Sequence, residues 1–447
     1  MRRAVATLAV TAAMGAHGAF DASTFMRSAT QAAQRGEFSL ARSYLNTLAP
    51  YWNLNDEARS FAYLLRGETF ANEQLWVSAR KDFARALEFD PDSDAARTAL
   101  GRIYLYGRGI ESDAVLAMSF LAPAAENGST QAAFHIGYAH LQGIGVEADV
   151  DEARRWLLQA AAAEDDAAKA SAMAHLATSY RTPFTEPTDT DRAIEWYDRA
   201  IALGNAQAMV AKAALLRSNE VPTRQPKAAI ALLEDAVGRD SDDARVALGY
   251  LYLTGSDLPK DPARAAELIR AAAARGHAPA ALQWGHLLQH GIGTQADLDA
   301  AMAAYRRAAT AGLVPAMHRL GHLLLGTKEA NAHRQGLEWL TLAAHNDTAD
   351  ALNQLAWVLA THKSDAVRDG ERAVTLARRA VALTRNASYL DTLAAAQAEA
   401  GEFDAAVRSQ REALALAAEE VDGSDTDLIE ELESHLRAYR RSKPWRE

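Results

Sequence analysis

Two histidine pairs have the residue types and spacing for metal chemistry. His286 and His290 lie four apart, and so do His318 and His322. Residues four apart share a helix face, so two neighbouring helices can bring the pairs toward one another. A metal site needs three or four converging ligands, and no carboxylate is spaced to complete this set. Three glycine triplets, Gly107-Arg108-Gly109, Gly143-Ile144-Gly145 and Gly291-Ile292-Gly293, have the glycine density of a phosphate loop. They recur in phase with a repeat and do not sit between a strand and a helix, so left-handed turn positions explain them. The pairs Asp165-Asp166 and Asp242-Asp243 read as helix caps, and Glu430, Glu431 and Glu433 as a solvated face. The sequence has no Walker lysine context, nucleophile elbow or His-Glu-x-x-His motif. It also has no cysteine, which excludes disulfides, cysteine zinc sites, Fe–S clusters and thiol nucleophiles. No catalytic residue, cofactor or metal is assigned, and the chain reads as non-enzymatic.

The elements that would position any site follow from composition and periodicity. With 447 residues, the chain exceeds one ordinary domain. Its hydrophobic fraction is 49%, much of it alanine, and aromatics make up 7%. Alanine loses no side-chain entropy in a helix, so this composition favours helices and a thin, closely packed core. A net charge of −11 argues against a nucleic-acid binder, which needs a basic face to displace counterions. At the N-terminus, Arg2 and Arg3 precede a short apolar stretch over residues 4–16, followed by the small residues Gly18 and Ala19. That order resembles a secretory signal peptide over residues 1–19, with an ordinary helix before the first repeat as the alternative. The stretch is too short to span a bilayer, and no other segment reaches the required length, so no transmembrane segment is expected.

A small residue recurs inside helical stretches at Gly101, Gly137, Ala177, Ala213, Gly249, Gly285 and Gly321, in steps of 36, 40, 36, 36, 36 and 36. A second small series runs through Ala124, Ala160, Ala200, Ala236, Ala272, Ala308, Ala344 and Ala380. Four residues before it lies a bulky series: Phe120, Trp156, Trp196, Leu232, Leu268 and Leu340, with Ala304 as an exception. Each unit reads as helix, turn, helix, turn, with apolar residues three and four apart. A helix-interior glycine costs about 1 kcal/mol against alanine. Its recurrence at one phase implies close approach of the two helices, with the bulky series packed beside it. The 40-residue step coincides with a proline-bearing loop over residues 181–190, whose following helix is expected to be capped near Asp191; a second such loop covers residues 218–226.

The run Ala133-Phe-His-Ile-Gly137-Tyr-Ala-His-Leu-Gln-Gly143-Ile-Gly145-Val146, followed by Asp149, Ala153, Trp156 and Ala160, resembles the Sel1-like repeat, a subclass of tetratricopeptide-like helical hairpin. By this phase residues 94–348 hold seven units. The flanks 20–93 and 349–420 resemble tetratricopeptide repeats through Gly67, Phe70, Ala79, Phe83, Ala86 and Pro91, and through Ala356, Leu393, Gly401 and Ala406. Residues 421–447 read as a polar capping helix and tail. The fold class implied is all-α, a right-handed superhelical solenoid of helix-turn-helix repeats. The resemblance implies adaptor work: a protein or peptide partner, and an envelope complex of the kind that bacterial periplasmic scaffolds assemble. A factor for polysaccharide export is the alternative within that setting. The compartment expected is periplasmic or secreted if the leader is cleaved, otherwise cytoplasmic.

In the tetratricopeptide arrangement the first helix of each hairpin lines a concave face. Carried onto this chain, that face holds Arg102, Phe134, Tyr138, Tyr250, His286, His318, His322 and Trp357. Its aromatic members are suited to anchoring an extended peptide or a partner helix. Packing between neighbouring hairpins is the competing role for the same rings.

Overall fold

The computed structural model describes residues 22–48, 54–181, 188–346, 348–420 and 426–446. The leader expected over 1–19 lies outside the described residues, as do 182–187 of the first proline loop. Among the described residues there are 23 helices and no strand. The chain divides into two compact units, residues 1–244 and 245–447.

The first unit holds the hairpins α1 (Ala22–Gln34) with α2 (Phe38–Leu48), α3 (Asp56–Asn72) with α4 (Trp76–Phe89), and α5 (Asp94–Leu105) with α6 (Ala114–Glu126). It continues with α7 (Thr130–Gln142) and α8 (Val150–Ala160), α9 (Asp166–Thr178) and α10 (Thr190–Ala202), and α11 (Ala206–Arg217) and α12 (Pro226–Gly238). Helix α13 (Asp242–Thr254) contains the boundary between the units and pairs with α14 (Pro262–Ala274). The second unit continues with α15 (Ala278–His290) and α16 (Leu298–Thr310), α17 (Val314–Leu325) and α18 (Ala330–Ala344), and α19 (Ala349–Thr361) and α20 (Gly370–Leu383). It ends with α21 (Ala387–Glu399), α22 (Phe403–Glu420) and the last helix, α23 (Thr426–Tyr439).

Capping follows the repeat. Ser93, Ser129, Asp165 and Asn205 each accept a hydrogen bond from a backbone N–H three residues on, at the start of a first helix. Ser241 does the same for α13, leaving Asp242 and Asp243 in the first turn, where acidic residues favour the positive end of the helix dipole. His277 caps α15 through Nδ1. Second helices open on Asp113, Asp149, Asp189, Asp261, Asp297 and Asp369. The backbone N–H of each of these six donates to a carbonyl near the end of the preceding helix, as from Asp149 to His140 O at 3.0 Å and from Asp297 to Leu288 O at 2.9 Å. The cap after the proline loop is therefore Asp189, not a residue near Asp191. Asp189 has a non-helical backbone and its side chain accepts from Arg192 N, while Asp191 is already inside the first turn.

The small-residue series marks where the two helices of a hairpin touch. A Cβ added at Gly101 would lie 2.5 Å from Leu121, at Gly137 2.9 Å from Leu157, at Gly249 2.8 Å from Ile269, and at Gly285 2.7 Å from Tyr305. Gly67 meets Phe83 in the same way. At Gly101, Gly137, Gly249 and Gly285 the residue seated on the small position thus lies one beyond the bulky series expected from the sequence, whereas at Gly321 it is Leu340 of that series, 2.7 Å away. One residue of helix turns the side chain by about 100°, enough to exchange one neighbour for another. Leu121, Leu157, Ile269 and Tyr305 therefore point at the partner helix of their own hairpin. Phe120, Trp156 and Trp196 point toward the preceding hairpin: Trp156 packs with Leu121 and Ala125, and Trp196 with Leu141 and Leu157. Ala304 ceases to be an exception, because Tyr305 carries the bulk for its hairpin.

The glycine triplets have two roles. The first glycine is a helix C-cap in the left-handed region, with φ 67° at Gly143 and 65° at Gly291. The second lies against the preceding hairpin. A Cβ on Gly145 would sit 2.4 Å from Ala114, and one on Gly293 would sit 1.9 Å from the Pro262 carbonyl oxygen. At the chain's end, α23 buries Leu432, His435, Leu436 and Tyr439. His435 Nδ1 lies 2.8 Å from Asp391 Oδ1, which also accepts from Gln410 at 2.7 Å. The capping helix is thus polar outside and specifically tied inside.

Gly293→Val, which combines positive φ with the clash on Pro262, is expected to lower stability by several kcal/mol. Gly276→Ala, also at positive φ (91°) but in open space, is expected to cost about 1–2 kcal/mol. Urea unfolding of the two variants checks this order.

Candidate partner-binding face

In the first unit, α5, α7 and α9 bring aromatic and basic side chains to one face. Phe134 stacks on Tyr138, their centroids 6.2 Å apart and nearly parallel. Both rings meet the edge of His175 on the next hairpin, at 5.2 and 5.1 Å. His175 is fixed by a contact of 2.9 Å between Nδ1 and Ser171 O, and burial depresses its pKa. Phe134 and Tyr138 therefore join adjacent hairpins while remaining half-buried, so the packing role and an accessible ring coexist. Beside them His135 is buried, 3.0 Å from the Tyr106 hydroxyl. Burial first, and then the charges of Arg102 and Arg108, push His135 down to about 3. Burial pushes the Tyr106 hydroxyl up to about 12. Arg102 lies next along this face, toward the preceding hairpin, in a cleft of about 610 Å³.

In the second unit Tyr250 is 61% exposed. His286 lies beside His290, ring centroids 4.6 Å apart, and its pKa is lowered by burial and then by His290 and Arg319. His318 and His322 share a cleft of about 480 Å³ with Gln289, Arg319 and Gln354. Burial and the neighbouring His322 lower the pKa of His318, whose Nε2 is buried without a hydrogen-bond partner. Among the described residues, no group of three or more potential ligands is placed to hold a metal. Trp357 and His322 line a second cleft of about 570 Å³, together with His333 and His362. Trp357 also faces His435 of α23 at 5.9 Å, and His435 in turn meets Trp445 at 4.4 Å.

The sequence reading missed Glu68, Trp76, Arg108 and His175. A signal for Glu68 was present: it follows Gly67 as Arg102 follows Gly101 and Tyr138 follows Gly137. Continuing the inward-facing series one unit upstream reaches it. The others come from turns or from positions outside the series, and only the fold brings them to this face.

Stacked two-helix units with glycine-mediated contacts and aspartate-capped second helices define a class of helical-repeat proteins. The family model for the Sel1 repeat matches residues 94–129, 130–165, 170–205, 242–277, 278–313 and 314–347, and the chain belongs to the Sel1-repeat proteins. The hairpin between the third and fourth matches, α11 with α12, keeps the framework, with Ala213, Leu233 and Ala236 buried. Similar solved structures include c5321, a protective antigen of uropathogenic Escherichia coli with an SLR fold. It is 20% identical over 94% of this chain and 92% of its own, with a TM-score of 0.44. A Sel1 repeat protein from Oxalobacter formigenes is 22% identical, covering 76% of this chain and 93% of its own, at a TM-score of 0.45. Yeast Tom70 is 14% identical, with coverage of 94% and 96% and a TM-score of 0.38. Sel1 and related tetratricopeptide-like repeats generally mediate protein–protein interactions. No helix among the described residues is long and apolar enough to cross a membrane.

The buried histidines make stability depend on pH. A histidine whose folded pKa is depressed binds its proton more readily in the unfolded chain, so stability falls as pH drops below the unfolded value. For His135, at about 3 when folded against an ordinary 6.5, the loss at pH 5 is about 2 kcal/mol. His175, His286 and His318 act in the same direction. The urea midpoint is expected to fall between pH 7.5 and 5, with a shallower slope in His135→Gln.

Proposed function

We propose that this protein is a non-enzymatic scaffold that binds a protein or peptide partner along the faces that the first helices of its hairpins form within each of its two compact units. The observation that carries this reading is the content of those faces: in the first unit the half-buried Phe134 and Tyr138 with an open cleft at Arg102, and in the second the exposed Tyr250, the half-buried Trp357 and an open cleft at His318 and His322. Large aromatic side chains contribute strongly to protein interfaces because they bury much area at low entropy cost. The repeat framework explains why the face is regular, and the variation from repeat to repeat at the inward positions is what gives a partner something to read. The features of residues 1–19 support export, and with it a role in assembling an envelope complex.

Tyr138→Ala and Tyr250→Ala, singly and together, are expected to keep the helical circular dichroism while weakening recovery of an envelope partner about tenfold or more in the double variant. An unchanged set of recovered proteins with both rings removed would overturn the assignment of this face. N-terminal sequencing of the protein from its native cell checks export separately; a chain beginning at Met1 would remove it.

A further inference from the structure

Most strongly buried arginines in this chain have a carboxylate partner: Arg66 with Asp82 at 2.7 Å, Arg181 with Glu220 at 2.6 Å, and Arg368 with Glu399 at 2.9 Å. Arg102 and Arg108 differ. Both line the cleft of about 610 Å³ between the second and third hairpins, whose walls also carry Glu68, Trp76 and Gln131. The Arg102 Nε is buried and has no hydrogen-bond partner. Neither guanidinium forms an ion pair among the described residues. Arg108 is instead held over the faces of Trp76 and Tyr106, 4.8 and 5.5 Å from their centroids. Such stacking fixes the plane of the guanidinium while leaving its donors unspent. A buried donor without an acceptor is costly, and a charged one more so.

We propose that this cleft is a carboxylate-binding subsite, which receives an internal Asp or Glu side chain of the partner segment between Arg102 and Arg108. The inference rests on the partner-binding reading of this face and specifies its chemistry. Two guanidiniums and the single carboxylate of Glu68 leave one uncompensated positive charge, which matches a carboxylate monoanion. A phosphate dianion would overshoot that balance beside Glu68. Burial first, and then the charge of Arg108, lowers the pKa of Arg102, so the two guanidiniums repel one another across the cleft; Glu68, pushed up by burial, is drawn the other way by Arg102. The carboxylate belongs to a side chain because the cleft lies within the run of hairpins. Walls come from α3 before it and α7 after it, so a bound segment continues on both sides.

The test is selection of a displayed random dodecapeptide library on the full chain, followed by affinity measurements with one synthetic selected peptide. The expected result is enrichment of Asp or Glu at one internal position. Arg102→Gln/Arg108→Gln is expected to weaken the peptide about tenfold or more, and Arg102→Lys/Arg108→Lys to weaken it less. On the unaltered protein, replacing the peptide's acid by its amide is expected to cost the same, which keeps the test valid if the double-Gln protein fails to fold. Selected peptides without acidic preference, or an acidic preference unchanged by the double-Gln substitution, would overturn the subsite and leave the wider face standing. Failure to enrich any peptide would overturn both. Displacement of the peptide by inorganic phosphate at concentrations where acetate has no effect would overturn the choice of carboxylate.

Discussion

Where the small position of a hairpin is glycine, the two helices cross with no room for a Cβ on one side. At Gly101, Gly137, Gly249 and Gly285 the seat is taken by Leu121, Leu157, Ile269 and Tyr305. Everything else is arranged around that constraint. The crossing fixes how far apart the two helices run, and so how the aspartate cap of the second helix reaches the end of the first. With both fixed, each hairpin presents the same outer flank to the next. Alanine elsewhere in the interfaces keeps neighbouring helices near; Ala124, Ala160, Ala200, Ala236, Ala272 and Ala308 are all buried. No hairpin encloses its own core. Stability is therefore a sum of internal crossings and nearest-neighbour contacts.

Much of this was legible in the sequence because it repeats. The small positions, the turn glycines and the acidic starts of second helices share one phase, and physical requirements that recur leave a periodic trace. What was misread differs by one or two residues. Assigning the bulky series to Phe120, Trp156 and Trp196 found the glue between hairpins and missed the plug within them, since both positions are apolar and adjacent. The cap at Asp189 was misplaced for a similar reason: an acidic residue on either side of Thr190 satisfies the same pattern, and only the backbone hydrogen bond to Tyr180 O distinguishes them.

The proposed partner-binding faces were less legible. A residue's place on the inward side of a first helix follows from phase, which is how Arg102, Tyr138 and His286 were found. Whether that residue is spent on packing depends on the next hairpin. Phe134 and Tyr138 are braced by His175, whereas Tyr250 stands in solvent. Trp357 occupies the corresponding place near the end of the chain, but its ring faces the terminal helix through His435. Equivalent positions thus have different availability, and that difference arises from contacts between residues far apart in sequence.

The 40-residue step between Gly137 and Ala177 shows what the framework tolerates. The four extra residues precede Ala177, which lies 12 residues after its cap Asp165 where Gly137 lies eight after Ser129; the turn that follows is unchanged, with Asp189 N bonded to Tyr180 O at 3.0 Å, Tyr197 fully buried, and the next hairpin back in phase. The clamp closing the turn spans nine positions there, as it does from Asp113 to Tyr104, Asp149 to His140, Asp261 to Tyr252 and Asp297 to Leu288, so the added length is taken up ahead of it. Evolution, or an engineer, can therefore lengthen the chain by about one helical turn ahead of the clamp and leave the register of the following hairpin intact.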